Sequence, residues 1–204
     1  MSMPEAVDVV DAHHWSNEIG KRAPNILTFI RLLLVPVFVV FLIDPTPTGN
    51  MWAAGIFVFA SLTDWLDGYL ARVFNAESIL GTLMDPLADK ILVTAALIML
   101  AADPNGARAP AWIVVVLLSR DMIITGLRSL AATQGTVVAA SRWAKHKTAW
   151  SMLAIAFLLV GEPYVVAGIL IDFQLTGIVF LWIALIYSVT TGVDYFLRLR
   201  GMFT

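Results

Sequence analysis

Residues 64–90 read DWLDGYLARVFNAESILGTLMDPLADK, and this stretch organises the rest of the chain. It carries aspartates at positions 64, 67, 85 and 89 within a sequence that is otherwise strongly apolar. Placing one aspartate at the centre of a bilayer costs about 3 kcal/mol on insertion scales. Several carboxylates close together cannot all stay ionised without a strong counter-charge. The stretch therefore indicates a site for one or two divalent cations, which oxygen ligands bind well.

The composition predicts an integral membrane protein. The chain has 204 residues, of which 59% are hydrophobic and 14% are charged, and its mean hydropathy is +0.83. Soluble domains are roughly 45–50% apolar and about 25% charged. The net charge of -2 and the lack of a basic nucleic-acid-binding surface argue against a nucleic-acid partner. With no cysteine in the sequence, a disulfide framework is excluded.

Six apolar segments are predicted as membrane-spanning helices, each of which needs ~20 residues. Their predicted ranges are 25–43, 51–74, 81–101, 111–133, a fifth helix within 147–171 that ends near Gly161, and 176–197. Turn-forming clusters at 44–47 and 103–106 support these divisions. We therefore predict an all-α membrane protein with one six-helix domain over residues 25–204.

Residues 1–24 are predicted to form a separate N-terminal arm. Val7, Val10, Trp15 and Ile19 recur at roughly helical spacing among polar residues, which is typical of an amphipathic helix at a membrane surface. The alternative interpretation is a mobile tail that ends at Pro24.

The placement of basic residues predicts the orientation of the helices. Loops 44–50 and 161–175 contain no Lys or Arg, and loop 102–110 contains only Arg108. The other side carries the remaining flanking cations, namely Lys21, Arg22, Arg72, Arg142, Lys145, Lys147, Arg198 and Arg200. By the positive-inside rule, both termini are cytoplasmic. The acidic stretch then faces the cytoplasm in a multi-pass protein of the cell membrane.

The acidic stretch has regular helical spacing. Asp64 is followed at three, four and seven positions by Asp67, Gly68 and Ala71, which share its helical face. On the next helix Gly81, Asp85 and Asp89 follow each other at i, i+4. A short link at about 75–80 would make the two helices antiparallel neighbours, so the acidic faces converge. The small residues allow a ligand or helix to approach the backbone.

Two other interpretations of these carboxylates are open. Buried ion pairs with Arg72 and Lys90 would leave two of the four aspartates unpaired. A divalent-cation transporter would use intramembrane carboxylates, but it explains neither the glycines nor the basic cluster described below.

The spacing Asp64-x2-Asp67-Gly68-x2-Ala71-Arg72-x8-Gly81-x3-Asp85-x3-Asp89 resembles the signature of the CDP-alcohol phosphatidyltransferases and matches each of its fixed positions. The resemblance implies a six-helix, homodimeric membrane enzyme that transfers a phosphatidyl group from a CDP-linked lipid to an alcohol and releases CMP. It also implies two divalent metal ions, Mg or Mn, bound by Asp64, Asp67, Asp85 and Asp89.

The resemblance further implies roles for individual residues. Asp89 is the expected catalytic base. A CDP site is expected around the signature and the start of the first helix, formed by Asn25, Thr28, Asp67, Gly68, Ala71, Arg72 and Gly81. A helix cap is the alternative role of Asn25, and an interfacial cation is the alternative role of Arg72.

Three further segments bear on the acceptor alcohol. Residues 24–31 read PNILTFIR, 120–128 read RDMIITGLR and 141–148 read SRWAKHKT. These segments resemble the phosphatidylglycerophosphate synthases of the same family, although Ala144 and Ser151 stand where those enzymes carry Gly and Gln. An acceptor that carries a phosphate needs a positive pocket. The expected phosphate-binding residues are Arg31, Arg120, Arg128, Lys145 and Lys147.

The expected reaction is transfer of the phosphatidyl group of CDP-diacylglycerol to sn-glycerol 3-phosphate within a lipid membrane. Inositol phosphate, or phosphatidylglycerol as in a cardiolipin synthase, is the alternative acceptor. Two of the cations also have structural alternatives. Arg120 could pair with Asp121 or another acid and serve the fold, and Arg142 could be an ordinary positive-inside flank.

Overall fold

The computed structural model describes the backbone of residues 29–74, 79–133 and 142–199, with side chains described except at 64–89, 132, 142–145 and 199. The described chain is mostly helical. Its elements in order are α1 (Phe29–Ile43), α2 (Pro47–Phe74), α3 (Ile79–Ala101), α4 (Ala111–Thr133), α5 (Arg142–Val160), β1 (Pro163–Val166), β2 (Ile169–Asp172) and α6 (Phe173–Leu199). The predicted arm, Asn25, Thr28 and residues 75–78 of the predicted link lie outside the described residues.

The helix positions agree with the prediction, and most of the differences are at their ends. The bounds of α4 are those predicted. Helix α2 starts at Pro47 rather than at residue 51, because Thr46 caps it: the Gly49 amide donates to Thr46 Oγ1 at 3.1 Å. Helix α3 begins two residues earlier than predicted and α5 five residues earlier.

The connection between α5 and α6 corrects the all-α prediction. Residues 163–172 form an antiparallel hairpin in which Val166 pairs with Ile169, which leaves Ala167 and Gly168 as a two-residue turn. Both turn residues have positive φ, 51° and 81°, as hairpin turns of this length require. The hairpin ends at Asp172, whose Oδ1 accepts from the Leu175 amide at 2.9 Å. This cap starts α6 at Phe173, three residues before the predicted start.

The described residues form two compact units. One contains residues 29–38 of α1 together with Ile56–Leu92, and its core includes Phe38 and Phe57, whose ring centroids are 6.4 Å apart. The other contains Val39–Gly55 and the chain from Val93 onward, in which α6 packs against both α4 and α5. Aromatic pairs line these contacts, for example Trp112 with Trp182 at 5.4 Å.

The second unit has apolar side chains on its outside as well as in its core. Met122 of α4 is 70% exposed and Ile186 of α6 is 60% exposed, while Leu158 and Leu181 are fully buried. Soluble monomers rarely expose large apolar patches. The exposed apolar side chains of this unit are consistent with a protein that contacts lipid.

One helical segment among the described residues, Phe173–Arg198, is long and apolar enough to cross a membrane by itself. Helix α4 is comparable in length but carries Arg120, Asp121 and Arg128. The other apolar helical segments, Phe29–Ile43, Lys90–Ala101 and His146–Val160, are shorter within the described part of the chain. Six spans and the cytoplasmic position of both termini therefore stay predictions.

Gly177 lets α6 approach α5 closely. A Cβ at this position would lie 2.7 Å from Leu158 Cγ and 3.0 Å from the Leu158 backbone nitrogen. The backbone of α5 cannot yield as a flexible side chain would, so Gly177→Ala is expected to destabilise the protein by about 1–3 kcal/mol. Thermal unfolding of the purified protein in detergent measures the effect.

Gly55→Ala is the matched control for this substitution. Gly55 also lies within a helix, but a Cβ there would meet nothing within 4 Å. We expect its unfolding midpoint to stay at or slightly above that of the wild type, since alanine favours helix. An equally stable Gly177→Ala protein would contradict the close packing of α5 on α6.

Candidate functional site

The predicted metal ligands lie on two continuous helices. Asp64 and Asp67 fall within α2, and Asp85 and Asp89 fall within α3, although their side chains are outside the described set. Because the backbone is helical at all four positions, the i, i+3 and i, i+4 spacings do correspond to shared helix faces. A donor set of carboxylates suits a hard divalent cation, so the residue types and the helical backbone fit the expected metal.

The described side chains elsewhere do not offer a competing metal site. Among them, no group of three or more His, Asp or Glu residues gathers in a way that could hold an ion. The side chains of the four predicted aspartates lie outside this described set. The metal-site prediction therefore still rests on residues 64–89.

The residues predicted to bind CDP are only partly described. Gly68, Ala71 and Arg72 belong to the helical backbone of α2, and Gly81 to that of α3. Arg31, which is predicted to bind the acceptor phosphate, lies in α1 and is 1% exposed. A large cation so deeply buried serves a specific interaction rather than a flanking role at the membrane surface.

Arg120 of α4 is held by α6. Its Nε donates to the Ser188 carbonyl oxygen at 3.0 Å, and its Nη2 donates to Thr191 Oγ1 at 2.8 Å. Its Nη1 donates to Asp121 Oδ1 at 3.2 Å. These contacts favour the structural alternative for Arg120, because three of its nitrogens already donate to protein groups.

Lys147 is the predicted site residue with the clearest environment. It is 8% exposed, and its Nζ lies 2.5 Å from Asp121 Oδ2. Asp121 thus joins a cation of its own helix to a cation of α5, 26 positions further along the chain. The side chain of the neighbouring Lys145 is outside the described set.

From the sequence, Asp121 is expected only as a partner of Arg120, and its contact with Lys147 is not predicted. An acidic residue in the middle of an apolar helix is the signal that could have singled it out. Its partner on α5 could not be identified in this way, since helical spacing relates only residues of the same helix.

Arg128, like Arg120, lies on the face of α4 that packs against α6. Its guanidinium carbon is 6.0 Å from the centroid of the Tyr195 ring on α6. At this distance the ring face attracts the cation only weakly. Arg128 is exposed, so its guanidinium remains accessible to an anionic ligand.

Arg108, in the loop between α3 and α4, holds the far end of α5. Its Nε lies 2.5 Å from Asp103 Oδ2, and its Nη1 donates to the Leu159 carbonyl oxygen at 2.9 Å. A cation at the last carbonyls of a helix complements the negative end of the helix dipole. Gly161 ends α5 with a φ of 72°, and a Cβ there would lie 2.8 Å from Arg108 Nη1. Arg108 therefore has a structural role.

The chain is similar to proteins of one family over most of its length. Residues 21–190 match the family described as CDP-alcohol phosphatidyltransferase. The chain is similar to the CDP-diacylglycerol--glycerol-3-phosphate 3-phosphatidyltransferase of Bacillus subtilis (strain 168), with 37% identity over 189 residues, covering 85% of this chain and 92% of that protein.

Two further relatives carry the same name. The protein of Rickettsia bellii (strain RML369-C) is 34% identical over 186 residues, covering 91% of this chain and 99% of its own length. The protein of Pseudomonas fluorescens is 34% identical over 173 residues, covering 80% of this chain and 87% of its own length. The matched range, residues 21–190, includes the positions of the predicted carboxylates and of the Arg120–Asp121–Lys147 cluster.

Proposed function

Because the chain belongs to the CDP-alcohol phosphatidyltransferase family, we propose that it transfers the phosphatidyl group of CDP-diacylglycerol to sn-glycerol 3-phosphate. The products are phosphatidylglycerophosphate and CMP. The observation that carries the proposal is the similarity to curated relatives of this name along almost their full length. The buried Lys147 beside Arg120 adds support, since a phosphorylated acceptor requires cations.

Asp64, Asp67, Asp85 and Asp89 would hold two divalent ions, Mg or Mn. When bound, such ions neutralise the charge of phosphoryl oxygens and stabilise the departing CMP. The helical spacing of the four carboxylates on α2 and α3 supports this assignment. The CDP moiety would bind along the same helices, at Asp67, Gly68, Ala71, Arg72 and Gly81, and at Asn25 and Thr28.

Asp89 would act as the general base. Its carboxylate accepts the proton of the primary hydroxyl of glycerol 3-phosphate. The hydroxyl oxygen then forms a bond to the phosphorus that carries the diacylglycerol, and the bond from this phosphorus to the bridging oxygen of CMP breaks. The electron pair of that bond leaves with CMP.

Cations would bind the phosphate of the acceptor. Lys147 and Arg128 are the first candidates, because Lys147 is buried beside Asp121 and Arg128 is exposed. Arg31, Arg120 and Lys145 complete the proposed set. Arg120 would attract the acceptor phosphate by its charge and would hold Asp121 in place. Direct contact with the phosphate is not proposed for it, because its guanidinium already donates to Ser188 and Thr191.

The membrane arrangement is part of the same proposal. Six spans with both termini in the cytoplasm would expose the acidic stretch to cytosolic glycerol 3-phosphate, while the diacylglycerol chains stay in the bilayer of the cell membrane. Residues 25–204 would form the catalytic domain and 1–24 an interfacial arm. The enzyme would be a homodimer. The distribution of Lys and Arg supports this orientation.

An acceptor screen tests the reaction. Purified protein in lipid nanodiscs receives CDP-diacylglycerol and one acceptor at a time: glycerol 3-phosphate, inositol phosphate, inositol, serine or phosphatidylglycerol. We expect CMP release with glycerol 3-phosphate to exceed that with inositol or serine by about 100-fold or more, since a site built for a phosphate strongly rejects acceptors that lack it. It should also exceed the release with inositol phosphate and with phosphatidylglycerol. Preferred use of another acceptor would refute the proposed substrate while leaving the transferase class intact.

Chelation tests the metal requirement. We expect EDTA to abolish CMP release and added Mg or Mn to restore it, because the clustered carboxylates would otherwise repel the pyrophosphate. Isothermal titration of Mn into the metal-stripped protein provides a readout that does not depend on turnover, and Asp85→Asn should weaken the measured binding. Full activity after complete removal of divalent ions would contradict the proposed cofactor.

A further inference from the structure

The carboxylate of Asp121 contacts two cations, Arg120 of α4 and Lys147 of α5. The Oδ1 atom accepts from Arg120 Nη1 at 3.2 Å, and Oδ2 lies 2.5 Å from Lys147 Nζ. The side chain of Asp121 is 28% exposed, whereas that of Lys147 is 10% exposed. The carboxylate of Asp121 is therefore more exposed than the lysine side chain with which it pairs.

The Arg120 side of this cluster is rigid. The Ser188 carbonyl and the Thr191 hydroxyl, both on α6, accept from Arg120, and the Thr191 hydroxyl in turn donates to the Tyr187 carbonyl oxygen at 2.6 Å. The guanidinium is thereby fixed relative to α6, and it fixes the Asp121 carboxylate.

The Lys147 side depends on that carboxylate. A lysine stem is flexible, and a buried ammonium without an anionic partner is strongly unfavourable. Without Asp121, the Lys147 side chain would turn its ammonium toward water and away from the place that Asp121 holds it in. Within the described part of the chain, the ammonium donates to Asp121 only, and an ammonium has three N–H groups, which leaves two for a ligand. The cluster contains two cations and one anion, so it retains a positive charge that attracts a phosphate.

We propose that Asp121 is a positioning residue for the acceptor: it holds the Lys147 ammonium in the orientation that binds the acceptor phosphate. This inference rests on the proposed function, in which Lys147 binds that phosphate. The Asp121 carboxylate would also repel the negatively charged acceptor phosphate, which weakens phosphate binding. The positioning effect dominates, because removal of the repulsion can strengthen phosphate binding only while the lysine stays in place.

The test compares Asp121→Asn and Asp121→Glu with the wild type in nanodiscs. We expect Asp121→Asn to raise the KM for glycerol 3-phosphate about 10-fold, the effect of losing one charged hydrogen bond, with the KM for CDP-diacylglycerol changed less than about twofold. Asp121→Glu, which keeps the charge, should recover most of the loss. An unchanged KM for glycerol 3-phosphate would overturn the proposal, and a lowered one would show that Asp121 instead masks the site.

A double-mutant cycle with Lys147→Ala shows whether Asp121 acts through the lysine. We expect Asp121→Asn to have little additional effect on the KM for glycerol 3-phosphate once Lys147 is alanine, whereas additive effects would refute the coupling. The matched control is Asp194→Asn, which breaks an exposed carboxylate–arginine pair with Arg198 on the outside of α6 and should leave both KM values unchanged.

Two measurements keep the outcome decisive. If Asp121→Asn does not fold, Thr191→Val provides the second test, because it removes one hydrogen bond to Arg120 and leaves the Asp121 carboxylate in place. We expect this variant to raise the KM for glycerol 3-phosphate about threefold, the effect of losing one hydrogen bond. An unchanged KM would then overturn the proposal. If the wild type prefers another acceptor in the screen above, the proposed substrate fails first, independently of the Asp121 variants. A loss of stability with equal changes in both KM values would assign Asp121 a structural role only.

Discussion

Asp89→Asn is expected to lower the rate of CMP release by about 10²–10⁴-fold, the usual contribution of a positioned general base. Asparagine has nearly the same shape as aspartate, but it cannot accept the proton of the acceptor hydroxyl. The charge lost in this substitution would also weaken metal binding. Steady-state CMP release from CDP-diacylglycerol in nanodiscs, with saturating glycerol 3-phosphate, measures the effect.

The matched control for Asp89→Asn is Asp44→Asn. Asp44 is an exposed carboxylate in the connection between α1 and α2, and its loss should change neither turnover nor stability. Thermal unfolding must show that the Asp89 variant is folded. A folded variant with more than about a tenth of wild-type turnover would remove Asp89 as the base, since general bases contribute at least about 10²-fold. If higher Mn concentration restores the rate, Asp89 is a metal ligand and not the base.

Lys147→Ala is expected to raise the KM for glycerol 3-phosphate about 10- to 100-fold, with a much smaller change in the KM for CDP-diacylglycerol. A charged hydrogen bond to a phosphate is worth about 1.5–3 kcal/mol, which corresponds to this range. Lys147 is 8% exposed and sits beside Asp121, so its ammonium is both desolvated and oriented. Initial rates over a matrix of both substrate concentrations separate the two KM values.

Arg198→Ala is the control for removing a cation. Arg198 is an exposed residue near the end of α6, paired with Asp194 at 3.0 Å, and exposed pairs contribute little. Both KM values should remain at wild-type levels in this variant. Equal increases in the two KM values of Lys147→Ala would argue against a role in acceptor binding, because a specific phosphate contact affects only the phosphorylated substrate.

The helices could be predicted from the sequence because their signals are local. Apolar length and the turn clusters around Pro45 and Pro104 identify the segments without knowledge of their neighbours. The predicted and observed bounds of α4 coincide. The ends of α2 and α6 shift by a few residues because Thr46 and Asp172 cap them.

The hairpin was harder to predict. Residues 163–172 are apolar and rich in β-branched side chains, and by composition they resemble the helices on either side. The Ala-Gly turn carries a weaker signal than Asn-Gly or Asp-Gly, because alanine rarely adopts the positive φ that this turn requires. Gly161 marked the end of α5 correctly, as its φ of 72° is typical of a glycine that ends a helix.

The sequence by itself identified the family and predicted the acidic site, because the acidic signature depends on residue types at fixed helical spacing, and such spacing is a property of one chain segment. It also determined where the helices lie. Only the tertiary structure decided the partners of the cations: Arg120 with Ser188 and Thr191, and Lys147 with Asp121. These side chains lie 26 to 71 positions apart and meet only when α4, α5 and α6 pack together. The four aspartates of the acidic stretch remain the proposed centre of the reaction, and the packing of α4, α5 and α6 adds Asp121 as an anion that is proposed to orient the acceptor site.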